Sequence, residues 1–312
     1  MTAFQYTHFQ LDFLPAIAEL QHQRADAGLA DVGFLLSPGF EEGRNICVAF
    51  DQAGKLAGYA SILPHSLSAQ WGGAQVLRFD LAARKGLDQE QALKDGFLDW
   101  ARSRAGELCP ADGTPQPVLM ARLDAGNLAA VDYLSARGFA YMESEYTLCR
   151  DLGVWVVDYA PPAGIEVRAW RMPSQADKET YLAAYQQVFA GSTFCMDDLE
   201  NFCRSEMWMA GTTFSAFAGE QLVGSVMACY DPNLKRNAER VGLIEHVFVL
   251  DGERGRGIGS AMLGQALLYL KQRGLRRAQV DLTASSPEAV CFFESAGFEL
   301  EREEVFLCLQ VK

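Results

Sequence analysis

The second half of the chain alternates short apolar runs with polar turns, and two longer stretches carry a helical period. Period-two runs predict strands over Ile165–Trp170, Phe214–Phe217, Leu222–Tyr230, Val241–Leu250, Arg277–Leu282 and Val305–Val311. Ser174–Phe189 is predicted as a helix with Ser174 as its N-cap. Gly259–Arg273 is predicted as a second helix, closed by Gly274. It places Met262, Leu263, Ala266, Leu267 and Leu270 on one face, the stripe of a helix packed on a sheet. Ser286 and Pro287 are start signals for a short helix, Pro287–Ser295. Phe189–Met196 and the segment around Trp208 are read as loops, and loops carry binding specificity where a ligand cleft is present. Gly191–Met196 is apolar enough for a partly enclosed pocket, although packing of those side chains into a core is the stronger account. Strands interleaved with crossing helices predict an α/β fold of the layered α+β kind, a mixed central sheet flanked by helices.

The chain repeats itself. Asn127-Leu-Ala-Ala-Val-Asp-Tyr-Leu-Ser-Ala-Arg-Gly-Phe139 matches Ser286-Pro-Glu-Ala-Val-Cys-Phe-Phe-Glu-Ser-Ala-Gly-Phe298, and Leu148-Cys149 matches Leu307-Cys308 at the same spacing. Val48–Gly58 and Ser215–Gly224 share a strand–turn–strand pattern, a hairpin in each copy. Two tandem domains follow, 1–155 and 160–312, joined near the Pro/Gly stretch Tyr159–Gly164.

One segment changes the picture from fold to chemistry. The apolar strand ending Val247-Phe248-Val249 runs through Asp251-Gly252 into Glu253-Arg254-Gly255-Arg256-Gly257-Ile258-Gly259-Ser260, and a helix follows. A strand, a glycine loop and a helix N-terminus make an anion cradle. The missing side chains admit a phosphate to the backbone, the first-turn N–H groups point at it, and Arg254 and Arg256 add charge. The GK[ST] of a Walker loop is missing, and Ser260 stands where a dinucleotide fingerprint needs its third glycine.

Composition narrows the partners. The 312 residues carry a net charge of −13, divided −7 over residues 1–155 and −6 over the rest, so the acidity is no local tail. Nucleic acid and anionic membrane are disfavoured as partners, and no apolar run reaches membrane-spanning length. The eight cysteines form no CxxC pair, which argues against a zinc site or disulfide framework and suits buried thiols in a reducing, cytoplasmic setting. No secretory signal is visible at the N-terminus. Oligomeric state is not legible.

From about residue 165 onward the order V-x-V, turn, R-G-R-G-I-G, amphipathic helix, strand and A-V-x-x-F-x-x-x-G-F resembles the GCN5-related N-acetyltransferase (GNAT) superfamily. Residues 1–150 resemble the same fold more weakly, so the chain looks like a tandem arrangement. The resemblance implies acetyl-coenzyme A as the cofactor, with its pyrophosphate on Arg254, Gly255, Arg256, Gly257, Ile258, Gly259 and Ser260. It implies that the pantetheine arm pairs with the backbone of Val247, Phe248 and Val249, and that a small-molecule amine accepts the acetyl group. Glu245 is the candidate general base, since a carboxylate in an apolar strand needs a reason. By strand alternation it shares a face with Val247 and Val249, and His246 points the other way as a buried, hydrogen-bonded histidine.

Two departures stand out. The superfamily's N-x-x-A-x-x-x-Y segment carries an asparagine and a tyrosine able to protonate the leaving thiolate, and here those positions are Ser286 and Phe293. Phe293 cannot donate a proton but could pack against the pantetheine; Tyr269, Ser286 and Cys291 are the replacements to consider. The N-terminal copy keeps only Gly86 of the loop, so residues 1–155 are expected to lack the cofactor and to pack against, or shape the acceptor cleft of, the C-terminal copy. A non-catalytic acyl-coenzyme A binding module and a protein-modifying acetyltransferase remain as alternatives.

Overall fold

The computed structural model describes residues 4–22, 35–64, 74–108, 116–233, 240–284 and 287–311. The chain divides into two units, one of Met1–Ser144 with Glu304–Lys312 and one of Glu145–Glu303. The Pro/Gly stretch Tyr159–Gly164 therefore lies inside the second unit.

The first unit holds β1 (Phe4–His8), α1 (Leu14–His22), β2 (Ile46–Asp51), β3 (Leu56–Pro64), β4 (Val76–Ala83), α2 (Glu90–Leu108), β5 (Val118–Asp124) and α3 (Leu128–Ser135). Its sheet runs β1-β2-β3-β4-β5 and closes with the end of the last strand, β12 (Glu299–Gln310), which pairs antiparallel with β5 over Glu304–Gln310. Leu93, Phe97, Leu98 and Ala101 of α2 are buried on this sheet.

The second unit receives the end of β6 (Ala140–Asp151), followed by β7 (Glu166–Trp170), α4 (Gln175–Val188), α5 (Met196–Arg204), α6 (Glu206–Met209), β8 (Thr212–Ala218), β9 (Gln221–Cys229), β10 (Val241–Val249), α7 (Ile258–Gln272), β11 (Arg277–Ala284) and α8 (Pro287–Ser295). Its order is β7-β8-β9-β10-β11-β6, the same pattern as the first unit. In each sheet the fourth and fifth strands, β4/β5 and β10/β11, pair parallel, and the hairpins before them are antiparallel. β6 and β12 begin and end 159 residues apart (Ala140 to Glu299, Asp151 to Gln310), so the internal repeat extends to the strand boundaries. Each repeat's last strand completes the sheet of the other unit.

The expected stripe of α7 is buried against β8, β9 and β10, with Met262, Ala266 and Leu270 fully enclosed. Burying each large apolar side chain contributes roughly 1.5–3 kcal/mol. Ser174 caps α4 as expected, and Asp177 returns a bond to its N–H in a capping box. The loop expected over Phe189–Met196 holds as far as Cys195, and the one expected around Trp208 is corrected. Met196–Arg204 and Glu206–Met209 are helices α5 and α6, so the segment around Trp208 is helical and Trp208 is buried. The start of α5 is capped through Cys195 and Asp198 rather than by one of the usual hydroxyl or amide caps, which hides it from a sequence reading. Among the described residues no helix is long and apolar enough to cross a membrane.

Candidate active site

β10 does not run as a regular strand. Leu243, Ile244 and Glu245 pair with Cys229, Ala228 and Met227, and the ladder resumes at Phe248 opposite Ser225. Three steps on β10 thus span two on β9, which is a β-bulge, with His246 in the left-handed region at φ 49°. On the other edge, β10 pairs with β11 only over Val241–Leu243. Past that point the ladder between the two parallel strands ends, so the backbone of β10 from the bulge onward has no partner strand on that edge.

The bulge overturns the alternation argument. Met227 and Ser225 lie on one face of β9, so their partners Glu245 and Phe248 share that face, in place of Glu245 with Val247 and Val249. Both look toward α4, where Tyr181 packs against Phe248 with centroids 5.7 Å apart. His246 turns to the same side instead of the opposite one. Its ring is enclosed by Phe194 at 4.6 Å, Tyr185 at 5.0 Å, Phe202 at 6.4 Å and Tyr181 at 6.5 Å. The expected hydrogen-bonded histidine is also corrected: Nδ1 is buried without a partner. Burial lowers the imidazole to about 4, so the ring is neutral at physiological pH. These aromatic neighbours come from α4, α5 and the loop between them, and no spacing on β10 announces them.

Glu245 is half-buried. Burial is the main cause that raises its carboxyl above the ordinary value, with the charge of Asp281 adding to it. The thiol of Cys229 donates to Oε2 at 3.7 Å and partly offsets the rise. Cys229 itself is pushed up, chiefly by burial, and stays a thiol. The Tyr181 hydroxyl is fully buried without a partner, and its environment includes the Glu245 charge.

Beyond β10 a short turn, Asp251–Glu253, leads to the glycine loop. Gly255 (φ 75°) and Gly257 (φ 83°) hold left-handed backbone, and a Cβ at either would meet nothing within 4 Å. The loop surface is therefore open backbone. Gly257 is the N-cap of α7 and offers no side-chain acceptor, which leaves the N–H groups of Ile258, Gly259 and Ser260 without intrahelical acceptors. Ile258 itself is core, so only its backbone faces this end. The arginines are less available than their sequence suggests. Arg254 pairs with Asp251 at 2.9 Å and Arg256 pairs with Glu253. Exposed pairs of this kind contribute little, and a polyanion can displace the carboxylates.

Phe293 is another correction. Its ring is 2% exposed and packs edge-on against Phe292 and Phe298, so it backs the site from the core and does not line it. Phe292 is the ring that lies beside Gly259. Tyr269 donates to the Ala210 carbonyl at 3.0 Å and sits about 18 Å along α7 from Gly257, too far to serve as proton donor. Cys291 is exposed. Ser286 lies outside the described residues.

The first unit repeats the layout without the chemistry. β4 also parts from β5 after three pairs, but its ladder with β3 is regular over seven pairs, Gly58 to Pro64, with no bulge. The loop after β4 is tied down by Arg84, which bonds Asp51 at 2.5 Å and the Leu56 carbonyl at 2.7 Å. Asp88 and Glu90 bring negative charge to the start of α2.

The sequence profile of the Acetyltransferase (GNAT) family matches residues 172–298, the stretch that holds the bulged strand, the glycine loop and the N-terminus of α7. That match lies within the second unit, and solved GNAT structures share the tandem fold of the whole chain. Among proteins of known name it is 28% identical over 143 residues to a mycothiol acetyltransferase of Geodermatophilus obscurus; the match covers 44% of this chain and 45% of that protein. The chain thus spans less than half the length of that relative. Among solved structures, a GCN5-related N-acetyltransferase from Sphaerobacter thermophilus superposes with TM-score 0.70 at 18% identity, covering 100% of this chain and 97% of the other. A tandem GNAT protein from the clavulanic acid biosynthesis pathway superposes with TM-score 0.61 at 16% identity, over 99% of both chains.

Proposed function

We propose that the second unit transfers an acetyl group from acetyl-coenzyme A to the amine of a small-molecule acceptor. The observation that carries this reading is the pairing of the bulge at Glu245–Phe248 with the open backbone of Gly255 and Gly257. The residues present fit the cofactor. The loop from Arg254 to Ser260 would hold the pyrophosphate through backbone N–H groups and the dipole of α7. The unpaired edge of Val247, Phe248 and Val249 would hold the amide-bearing arm as an added strand. The cofactor supplies the activated acetyl thioester. Glu245 removes a proton from the acceptor amine, and its raised carboxyl pKa brings it nearer the range of an effective base. The rings of Tyr185, Phe194 and Phe202 enclose the adjacent His246, and a small-molecule acceptor accords with the mycothiol acetyltransferase resemblance.

The first unit, residues 1–155 by sequence, binds no cofactor on this reading, because Arg84 and the acidic start of α2 occupy the place of the cradle. The catalytic domain is then 160–312. Calorimetric titration with acetyl-coenzyme A tests both points. One site per chain, lost in Gly257→Glu, is the expected result; two sites would return the first unit to the mechanism, and none would sink the reading.

A second reading, an acyl-coenzyme A binding module without turnover, is favoured by one observation: Phe293 stands in place of a proton donor and is itself sealed in the core. Turnover of a panel of small amines separates the two.

A further inference from the structure

The second unit buries a positive charge that the fold leaves unmatched. Arg150, at the end of β6, is only 9% exposed. Its Nη2 donates to the Trp155 carbonyl at 2.9 Å, while Nε is buried with no partner. Among the described residues no carboxylate pairs with it, and burial, the leading influence, pulls the guanidinium below its ordinary value. An arginine does not escape this cost by losing its proton, and an unpaired ion taken out of water is unfavourable. The chain nevertheless makes room for it. Gly297 stands beside the guanidinium, and a Cβ there would lie 2.8 Å from Nη1.

Arg150 lines a cavity of about 200 Å³ together with Tyr159, Ser260, Leu263, Ser295 and Gly297 among others. We propose that this cavity is an oxyanion site for a phosphoryl group, held by the fork of Arg150 with the Ser260 and Ser295 hydroxyls beside it. A guanidinium presents two parallel N–H groups to a phosphate, the arrangement that best offsets its buried charge. The Ser295 hydroxyl donates to the Phe292 carbonyl at 2.7 Å and can rotate toward an incoming oxygen. The phosphoryl group has two sources, free phosphate or a phosphate of the nucleotide cofactor. The second rests on the function proposed above, and Ser260 gives it a structural basis because it belongs both to this cavity and to the first turn of α7.

Inorganic phosphate is the first probe, followed by calorimetry and by thermal unfolding against chloride of equal ionic strength. Saturable binding to the wild type is expected, with a rise in Tm beyond that in chloride, and both lost in Arg150→Met. Ser295→Glu tests the same point with the arginine kept. Ser295 is exposed, so the variant folds, and its carboxylate supplies the missing counter-charge and abolishes the phosphate response. If Arg150→Met does not fold, Ser295→Glu decides.

The second arm compares coenzyme A with its 3′-dephospho form. If the site takes the cofactor's phosphate, the dephospho form binds the wild type at least tenfold more weakly, the two forms bind Arg150→Met alike, and phosphate competes with coenzyme A. Phosphate binding without competition assigns the site to the free ion. Chloride-like behaviour of phosphate together with equal binding of the two coenzyme forms overturns the proposal. Absence of coenzyme A binding would count against the proposed function and leave the phosphate arm to decide this one.

Discussion

The ring of His246 stands edge-on to Phe194, centroids 4.6 Å apart and planes 83° apart, inside an enclosure of aromatic side chains. The folded chain holds this imidazole at about 4, against an ordinary 6.5, because burial disfavours the charged form. The unfolded chain binds the proton more readily than the folded one. His246 therefore contributes stability in full above pH 6.5, and that contribution is lost as the pH falls toward 4. A shift of this size corresponds to about 3 kcal/mol at most. Glu245, raised by burial, works in the opposite sense: its protonated form suits the fold, so it opposes the histidine in the acid range. Urea unfolding at several pH values should show a steeper acid loss for the wild type than for His246→Phe. Equal pH slopes would mean that this ring does not titrate with unfolding.

Glu245 and the thiol of Cys229 meet at 3.7 Å across the β9/β10 ladder, next to the bulge. Glu245→Gln keeps the shape and removes the proton acceptor. Turnover should fall by about 10²–10⁴-fold, the usual weight of a general base. Affinity for acetyl-coenzyme A should stay within twofold of wild type, since the loop is untouched. A fall in kcat and an unchanged cofactor Kd together identify the base; unchanged kcat would remove Glu245 from the mechanism.

The glycine loop and the internal repeat were legible because both are local signals. Left-handed backbone at Gly255 and Gly257 needs glycine, and the offset between the copies carries through to the ends of β6 and β12. The bulge was not legible. It turns His246 into left-handed backbone where alternation predicts extended strand, and the rings that enclose it come from α4, α5 and the intervening loop. Phe293 was misjudged for a similar reason. The spacing locates it on α8, but whether that face meets the cleft or the core depends on Phe292 and Phe298. Arg150 gave no sequence signal, since only the fold shows that it lacks a counter-charge.

Tyr181 is fully buried and its hydroxyl has no partner. An unsatisfied buried hydroxyl costs about 1–3 kcal/mol, and removing it without changing the ring should recover part of that. Tyr181→Phe should therefore raise the urea midpoint with an unchanged m value. Destabilisation would show that the hydroxyl is satisfied in solution. A fall in kcat at raised stability would mean that the group serves the reaction near Glu245 at the expense of the fold.

The glycines around the site separate strain, space and binding. Gly252 has no positive φ and no atom within 4 Å of a would-be Cβ, so Gly252→Ala should change stability by no more than about 0.5 kcal/mol. Gly257 is equally open but sits at φ 83°, where an added Cβ costs about 1–2 kcal/mol through backbone strain alone. Gly257→Ala should lose that much stability and also weaken acetyl-coenzyme A binding, because relief of the strain moves the first-turn N–H groups of α7. Gly224 has ordinary dihedrals and no room: its Cβ would come within 2.8 Å of the Phe248 carbonyl and 2.9 Å of Met262. Gly224→Ala should cost about 1–3 kcal/mol by overpacking, the usual range for an added methyl in a close-packed core. Chemical unfolding and cofactor titration of the three variants should thus give three distinct patterns. If Gly257→Ala behaved like Gly252→Ala in both measurements, the left-handed loop would not be the feature that holds the cofactor.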